Sequence, residues 1–315
     1  MWVATLLRRA RIVPNLPQPC ARAQCPCENF TMQELKHWPR AQRRAITGVF
    51  TDIDDTLTTD GAITADALAA LAQLKAAGFS VVAITGRPVG WSEPFAASWP
   101  VDAIVAENGA VALLAKQKFD QIDPLRSTSG AGLLSKIYLQ DALTRACNYQ
   151  RMQEVLQLIE ARIDGAARAT DSAGRETDIA IDHSEFTHLG DRQITDVVAL
   201  MRSEGMHATV SSIHINGWFG AHNKLEGARW IVQQLWGRAL DDEMDSWAYV
   251  GDSTNDQVMF NAFASSIGVA NIARFVPQLA HLPRFVTQGE RGAGFSEVCQ
   301  AILDAEGTPG AGNSY

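Results

Sequence analysis

Val49-Phe50-Thr51-Asp52-Ile53-Asp54-Asp55-Thr56 decides the fold. A short apolar run passes straight into three carboxylates and a threonine. A parallel strand buried on both faces reads as a continuous apolar run. In open α/β sheets, ligands bind outside the carboxyl ends of such strands. Asp52 and Asp54 are therefore expected side by side at the edge of a site. Clustered like charges repel unless a cation or a shared proton relieves them. The stretch reads as a divalent-metal site in which one carboxylate can also act as a nucleophile. An Asp-rich turn after a strand is the plain alternative.

Outward from this stretch the chain alternates strand and helix. Thr58-Thr59-Asp60-Gly61 is a turn signal. Thr64 can cap a helix whose apolar face is Leu68, Leu71 and Leu74, and Gly78 stops it. A second buried strand over 79–84 ends in Thr85-Gly86-Arg87-Pro88. A third over 103–106 ends in Glu107-Asn108-Gly109-Ala110. This is βαβ organisation, an α/β class with a Rossmann-like doubly wound parallel sheet. The middle differs. Helical period over 149–163 and 194–201 alternates with half-polar strands over 177–182 and 208–215, as in a sheet with one packed and one open face. The α/β pattern resumes with a helix over 224–237, a strand over 247–250 and short strands at 266–270 and 285–287. The expected organisation is a core of 45–112 and 216–304, an inserted α+β cap of 113–215 and a loose tail of 305–315. Residues 1–44 form a basic arm, with no packed structure before about residue 40.

The 315 residues, 46% hydrophobic and 20% charged, suit one large or two modest globular domains. No apolar run is long enough for a transmembrane helix. The net charge of −8 is uneven: residues 1–45 carry +6, which leaves about −14 on the rest. So acidic a body is a poor nucleic-acid binder and needs local cations wherever it handles an anion. Of five cysteines, Cys20, Cys25 and Cys27 lie in the arm and only Cys147 and Cys299 in the body. That is no disulfide framework, so a reducing, cytoplasmic compartment is expected. The arm's C-x4-C-x-C spacing lacks the second ligand pair of a zinc site. Its acid-poor, arginine-containing start resembles a mitochondrial presequence. Its prolines and missing apolar period favour a start at Met32 instead.

Four strand ends supply what phosphoryl transfer needs. Asp52 is placed to attack phosphorus. Asp54 is placed to protonate the leaving oxygen and then to deprotonate water. Thr85 offers a hydroxyl for phosphoryl oxygens. Lys224, just inside a helix N-terminus, can neutralise phosphate and aspartate together. Asp252 and Asp256, in Gly251-Asp252-Ser253-Thr254-Asn255-Asp256, join Asp52 and the Asp54 carbonyl as an oxygen-only set suited to Mg²⁺. Singly, each residue has an ordinary structural explanation: Thr85 or Asp256 as a cap, Lys224 as a solvated helix lysine. Jointly, their order is far more specific.

That order resembles the haloacid dehalogenase superfamily of aspartate-nucleophile phosphatases. The resemblance covers about 45–303. Asp52 and Thr85 are 33 residues apart, and Thr85 and Lys224 are 139 apart. The cap is therefore inserted between the second and third motifs, which is similar to subfamily IIB. That group includes sucrose-phosphate, trehalose-phosphate and mannosyl-phosphoglycerate phosphatases and eukaryotic-type phosphomannomutases. The resemblance implies Mg²⁺ and a phosphorylated sugar or similar small metabolite. Family members often carry Asp-Lys at the third motif; here it is Asn223-Lys224.

Substrate contacts are expected from Arg87, Asn108, Arg175, Ser212 and His214, with Asp178 and Asn216 on the same face of the cap. Trp218 and Phe219 read as hinge packing. The expected partner is a small phosphate ester, with no nucleic acid or membrane. Two rivals stand beside phosphomonoester hydrolysis: a phosphomutase, which would need a cation-rich cap, and an inactive ligand-binding regulator, which would have lost a nucleophile or metal ligand.

Overall fold

A computed structural model describes residues 32–116, Lys118, Asp120 and 134–306. The arm up to residue 31 with its three cysteines, and the tail from 307, lie outside the described residues.

Each core strand alternates its side chains between two apolar layers. Val49, Val81, Ala83, Ile104, Ala248 and Val250 face one layer. There they meet Leu71 and Leu74 of the helix Ala65–Ala76 and Phe295, Val298 and Ile302 of the helix Arg291–Glu306. Phe50, Val82, Ile84, Val105, Trp247 and Tyr249 face the other. There they meet Ala228, Ile231 and Val232 of the helix Lys224–Trp236 and Met259 and Phe260 of Gln257–Ala262. The sheet is doubly wound. Its strand order is Gln33–Glu34, Phe285–Val286, Ser265–Gly268, Trp247–Gly251, Gly48–Thr51, Ser80–Ile84, Ala103–Ala106, Val111–Ala115 and Leu134–Tyr138. Neighbours up to Ala103–Ala106 are parallel, and the last two strands run antiparallel. Gly48–Thr51 is central, between Trp247–Gly251 and Ser80–Ile84.

Thr64 caps the helix Ala65–Ala76 by accepting from the Ala67 N–H. Its buried stripe is Ala67, Ala70, Leu71 and Leu74, so Leu68, expected on that face, is 38% exposed at its edge. Thr58–Thr59 and Ala62–Ile63 form a hairpin over the two-residue turn Asp60-Gly61, both with positive φ.

Three expected boundaries shift. Packed structure begins well before residue 45. Gln33–Glu34 adds a parallel strand at the sheet edge. Trp38 is 1% exposed against Phe285, and Arg43 donates to the Ala301 carbonyl at 2.9 Å. An apolar anchor this short has no period to read. Val111–Ala115 and Leu134–Tyr138 extend the large sheet rather than opening the cap. The single strand expected over 208–215 is two, His207–Val210 and His214–Trp218, because Ser211 turns the chain by accepting from the His214 N–H. His214–Trp218 therefore belongs to the cap sheet.

That sheet, in the order His207–Val210, His214–Trp218, Ile179–Asp182, Ala167–Arg168, is antiparallel throughout. Ile179, Ile181 and Ile215 pack with Met152, Leu156 and Ile159 of the helix Ala142–Arg162 and Val197 and Met201 of Asp191–Ser203. The opposite face is polar and meets the core. Among the described residues, no helix is long and apolar enough to cross a membrane.

Removing Trp38 tests the early boundary. Trp38→Ala should cost about 3–5 kcal/mol in urea unfolding, as loss of a buried aromatic side chain does. An unchanged midpoint would show that residues 32–46 do not share the core.

Candidate active site

Each site group is held by backbone geometry at a strand end. The Asp52 N–H donates to the Val250 carbonyl at 2.9 Å, which continues the sheet one residue past Thr51. The chain then turns sharply. The Ile53 carbonyl accepts from the N–H groups of Thr56, Leu57 and Thr58, and Asp55 takes a left-handed φ of 54°. Lys224 is the first residue of its helix. Asn223 caps that helix, its Oδ1 accepting from Leu225 and Glu226 at 2.9 and 3.0 Å. Asparagine caps as well as aspartate does, so the departure at this motif leaves the lysine's placement intact. Asp256 closes a tight turn, its Oδ2 accepting from the N–H groups of Asp252 and Ser253 at 2.9 and 3.0 Å. A Cβ on Gly251 would lie 2.5 Å from that oxygen, so only glycine fits there.

Lys224 Nζ bridges Asp52 Oδ1 at 2.7 Å and Asp256 Oδ1 at 2.6 Å, and all three are buried. Tyr249 also donates its hydroxyl to Asp256 Oδ1. Asp52, Asp252 and Asp256 each offer a carboxylate oxygen within 4.8 Å of the others. Burial pushes the Asp52 carboxyl up to about 7 against the pull of Lys224, with Asp256 and Asp54 adding to the rise. Burial, then the charges of Asp256 and Asp52, push Asp252 well above the usual carboxylate range. Burial opposes the charge on Lys224, but Asp256 and Asp52 together outweigh it and hold the ammonium. Asp252 Oδ1 is buried without a partner. Three carboxylates, one cation and an unpartnered buried oxygen fit a small hard cation.

Asp54 faces the cap. Its Oδ1 accepts from Arg87 Nε at 2.9 Å, and Arg87 also reaches Glu185 at 3.0 Å and Asp171 at 3.4 Å, both on the cap. Asp54 and Glu185 hold the guanidinium charged against burial. His214 Nε2 lies 2.9 Å from Glu185. That contact and Arg87 draw the Glu185 carboxyl down to about 2 against its partial burial. Thr85 is fully buried, and its Oγ1 accepts the Arg87 N–H at 3.0 Å.

Of the expected substrate contacts, Arg87, Ser212 and His214 line a cavity with Asp52, Asp54, Asn216 and Asn255. Arg175 and Asn108 sit behind it. Arg175 bonds Asp178 at 2.8 Å, Asp171 at 3.1 Å and the Gly86 carbonyl at 3.1 Å. The Asn108 amide lies 3.4 Å from Asp178. Glu185, Asp171, Tyr249 and Asn271 were not legible as site residues. Asn271 alone carried a signal, since it follows a core strand end.

Cap and core are tightly docked. The Glu107 carboxylate accepts from the Val89 and Glu176 N–H groups at 3.0 Å and from the Thr177 N–H and hydroxyl at 2.5 Å. Glu107, Asn108 and Gly109 are successively left-handed, which aims that carboxylate at the cap. A Cβ on Gly90 would lie 2.9 Å from the Gly174 Cα, so the two backbones touch only because both are glycine. The enclosed cavity has about 10 Å³, room for about one water. With cap and core docked in this way, the space beside Asp52 is smaller than a phosphate group.

Burial, with the nearby Asp178 charge, pushes the Glu107 carboxyl up to about 7, against the Thr177 and Val89 hydrogen bonds. A carboxyl raised on folding binds its proton more tightly in the native state. Its contribution is fully present below the unfolded value near 4.5 and is lost as pH rises through about 7. Chemical denaturation should therefore show stability falling between pH 4 and pH 7, with a shallower fall in Glu107→Gln. Equal slopes for the two proteins would remove Glu107 from the cause.

Residues 49–137 match the family of haloacid dehalogenase-like hydrolases. No curated protein matches the chain. The fold is shared with several solved structures. Thermoplasma acidophilum 0175 is 15% identical, with a TM-score of 0.59 over 82% of this chain and 98% of its own. The sucrose-phosphatase of Synechocystis sp. PCC6803 is 15% identical, with a TM-score of 0.55 over 84% of this chain and 98% of its own. The C-terminal domain of the C. albicans trehalose-6-phosphate phosphatase is 12% identical, with a TM-score of 0.57 over 88% of this chain and 99% of its own. The family match covers the strand ends that carry Asp52 and Thr85, and the solved structures share the fold of the rest of the chain.

Proposed function

We propose that the protein is a Mg²⁺-dependent phosphomonoesterase that works through an aspartyl-phosphate on a phosphosugar-like small metabolite. The observation that carries this reading is the buried cluster in which Lys224 joins Asp52 to Asp256 while Asp252 keeps a free oxygen beside them. Asp52 attacks phosphorus as the bond to the leaving oxygen breaks, and Asp54 gives that oxygen a proton. Asp54 then takes a proton from the water that releases phosphate from Asp52. Lys224 holds Asp52 and offsets the incoming charge, and the Thr85 hydroxyl donates to a phosphoryl oxygen. Arg87 orients Asp54 from one side. A magnesium ion held by Asp52, Asp252, Asp256 and the Asp54 carbonyl would supply charge screening between anionic nucleophile and anionic ester.

Ser212 and His214, which line the cavity with Asp52 and Asp54, are the substrate contacts of this reading. The substrate class rests on the resemblance of the motifs and on the position of the cap. A phosphomutase needs a second phosphate site. The cap strands offer only Arg175 clearly as a cation for it, and Arg175 is bonded to Asp171 and Asp178, which favours hydrolysis. Cysteine usage supports a reducing, cytoplasmic setting.

A panel of phosphorylated metabolites assayed for phosphate release with Mg²⁺ tests the reading. Activity should vanish in EDTA. Asp52→Asn should lose at least ~10³-fold in turnover, since the nucleophile itself is gone. Near-normal release by that variant, or full activity after chelation, would sink the mechanism.

A further inference from the structure

Asp252 has one oxygen engaged and one free, and the engaged one is held from outside the four motifs. Asn271 lies in the turn Ala270–Arg274 that follows the core strand Ser265–Gly268. Its Oδ1 accepts the Arg291 N–H at 2.9 Å. That bond fixes which end of the amide points where. Its Nδ2 then donates to Asp252 Oδ2 at 3.1 Å and to the Asp55 carbonyl at 3.0 Å. Both amide hydrogens are used, and together they tie the turn at Asp55 to the Asp252 strand end. Asp252 Oδ1 is left buried and unpartnered beside Asp52 and Asp256.

Arg274 stands on the same side but acts differently. Its guanidinium is 2.6 Å from Asp55 and 3.4 Å from Asp252 Oδ2, and its side chain is 45% exposed. It offsets carboxylate charge, and the same charge repels a cation. Asn271 is neutral, so it orients the carboxylate without that opposing effect.

We propose that Asn271 is a positioning residue for divalent-cation binding: it clamps Asp252 through Oδ2 so that Oδ1 is presented to the cation. This rests on the metal reading given above, and the test separates the two. Groups that orient a metal ligand from behind are worth about 10–100-fold in metal affinity.

The measurement is melting temperature of the full chain against MgCl₂ concentration, without substrate, for the wild type, Asn271→Ala and Arg274→Ala. Asn271→Ala should need about 10–100-fold more Mg²⁺ for half of the stabilisation. Arg274→Ala should need no more than the wild type. In phosphate-release assays Asn271→Ala should show a raised Mg²⁺ activation constant, with turnover recovering at saturating Mg²⁺. A purely structural role would instead lower the melting temperature equally at every Mg²⁺ concentration. If Asn271→Ala does not fold, Asn271→Ser serves, since its hydroxyl can still accept from Arg291. A wild-type Mg²⁺ response in the Asn271 variant overturns the proposal alone. Equal weakening in the Asn271 and Arg274 variants overturns it too, because charge or loop integrity would then be the cause. A wild type that ignores Mg²⁺ overturns both this proposal and the metal reading.

Discussion

The contact on which the rest depends is Lys224 Nζ between Asp52 and Asp256. It places a positive charge 1% exposed between two carboxylates, with a third close by. Charges this deep are tolerated only when paired and hydrogen-bonded, and removal of one partner from a buried pair costs about 3–5 kcal/mol. The architecture supplies the pairing from distant parts of the chain. Asp52 comes from the central strand, Lys224 from the start of a helix, and Asp252 and Asp256 from the neighbouring strand end. The backbone N–H groups of Asp252 and Ser253 and the Tyr249 hydroxyl occupy the Asp256 oxygens, which fixes its orientation before any ligand arrives. One lysine does not balance three carboxylates. The oxygen left without a partner, Asp252 Oδ1, belongs to the same cluster.

A second tier of charge pairs joins core to cap. Arg87 belongs to the core but divides its guanidinium between Asp54 and two cap carboxylates. Glu107 belongs to the core but accepts from the cap backbone at Glu176 and Thr177. Arg175 belongs to the cap but donates to the core carbonyl of Gly86. Each of these bonds lies within the contact between cap and core. The cap residues that sequence marks as substrate contacts are thus partly occupied with one another.

Much of the core site was legible because it follows from strand ends. Strands buried on both faces leave unbroken apolar runs. The polar residue that ends each run, whether Asp52, Thr85 or Asp252, must emerge at one edge of the sheet. Lys224 was legible because helix period starts there, with Asn223 as a natural cap. The first strand and Trp38 were not, since a two-residue edge strand has no period and one tryptophan has no pattern. The antiparallel pair Val111–Ala115 and Leu134–Tyr138 resembled a domain boundary because antiparallel pairing leaves no mark in the order of residues. The occupation of Arg175 by Asp171 and Asp178 depends on a local turn that composition does not encode. The clamp by Asn271 depends on one backbone N–H at Arg291.

The strand order also dictates a timetable of assembly. Gly48–Thr51 pairs on one side with Ser80–Ile84, soon after it in the chain, and on the other with Trp247–Gly251. During synthesis, the strand that carries Asp52 exposes an unpaired edge until the second of these has left the ribosome. Gln33–Glu34 waits longer still, for Phe285–Val286. The antiparallel cap sheet, by contrast, takes all its strands from one continuous stretch, and local pairings form faster than distant ones. The cap can therefore close while the core is still an open half-sheet, and a chain stopped before residue 247 would hold a folded lid over an unfinished floor. Open strand edges attract other chains. Until Trp247–Gly251 pairs with it, the edge of Gly48–Thr51 is the one that this topology leaves open longest beside Asp52.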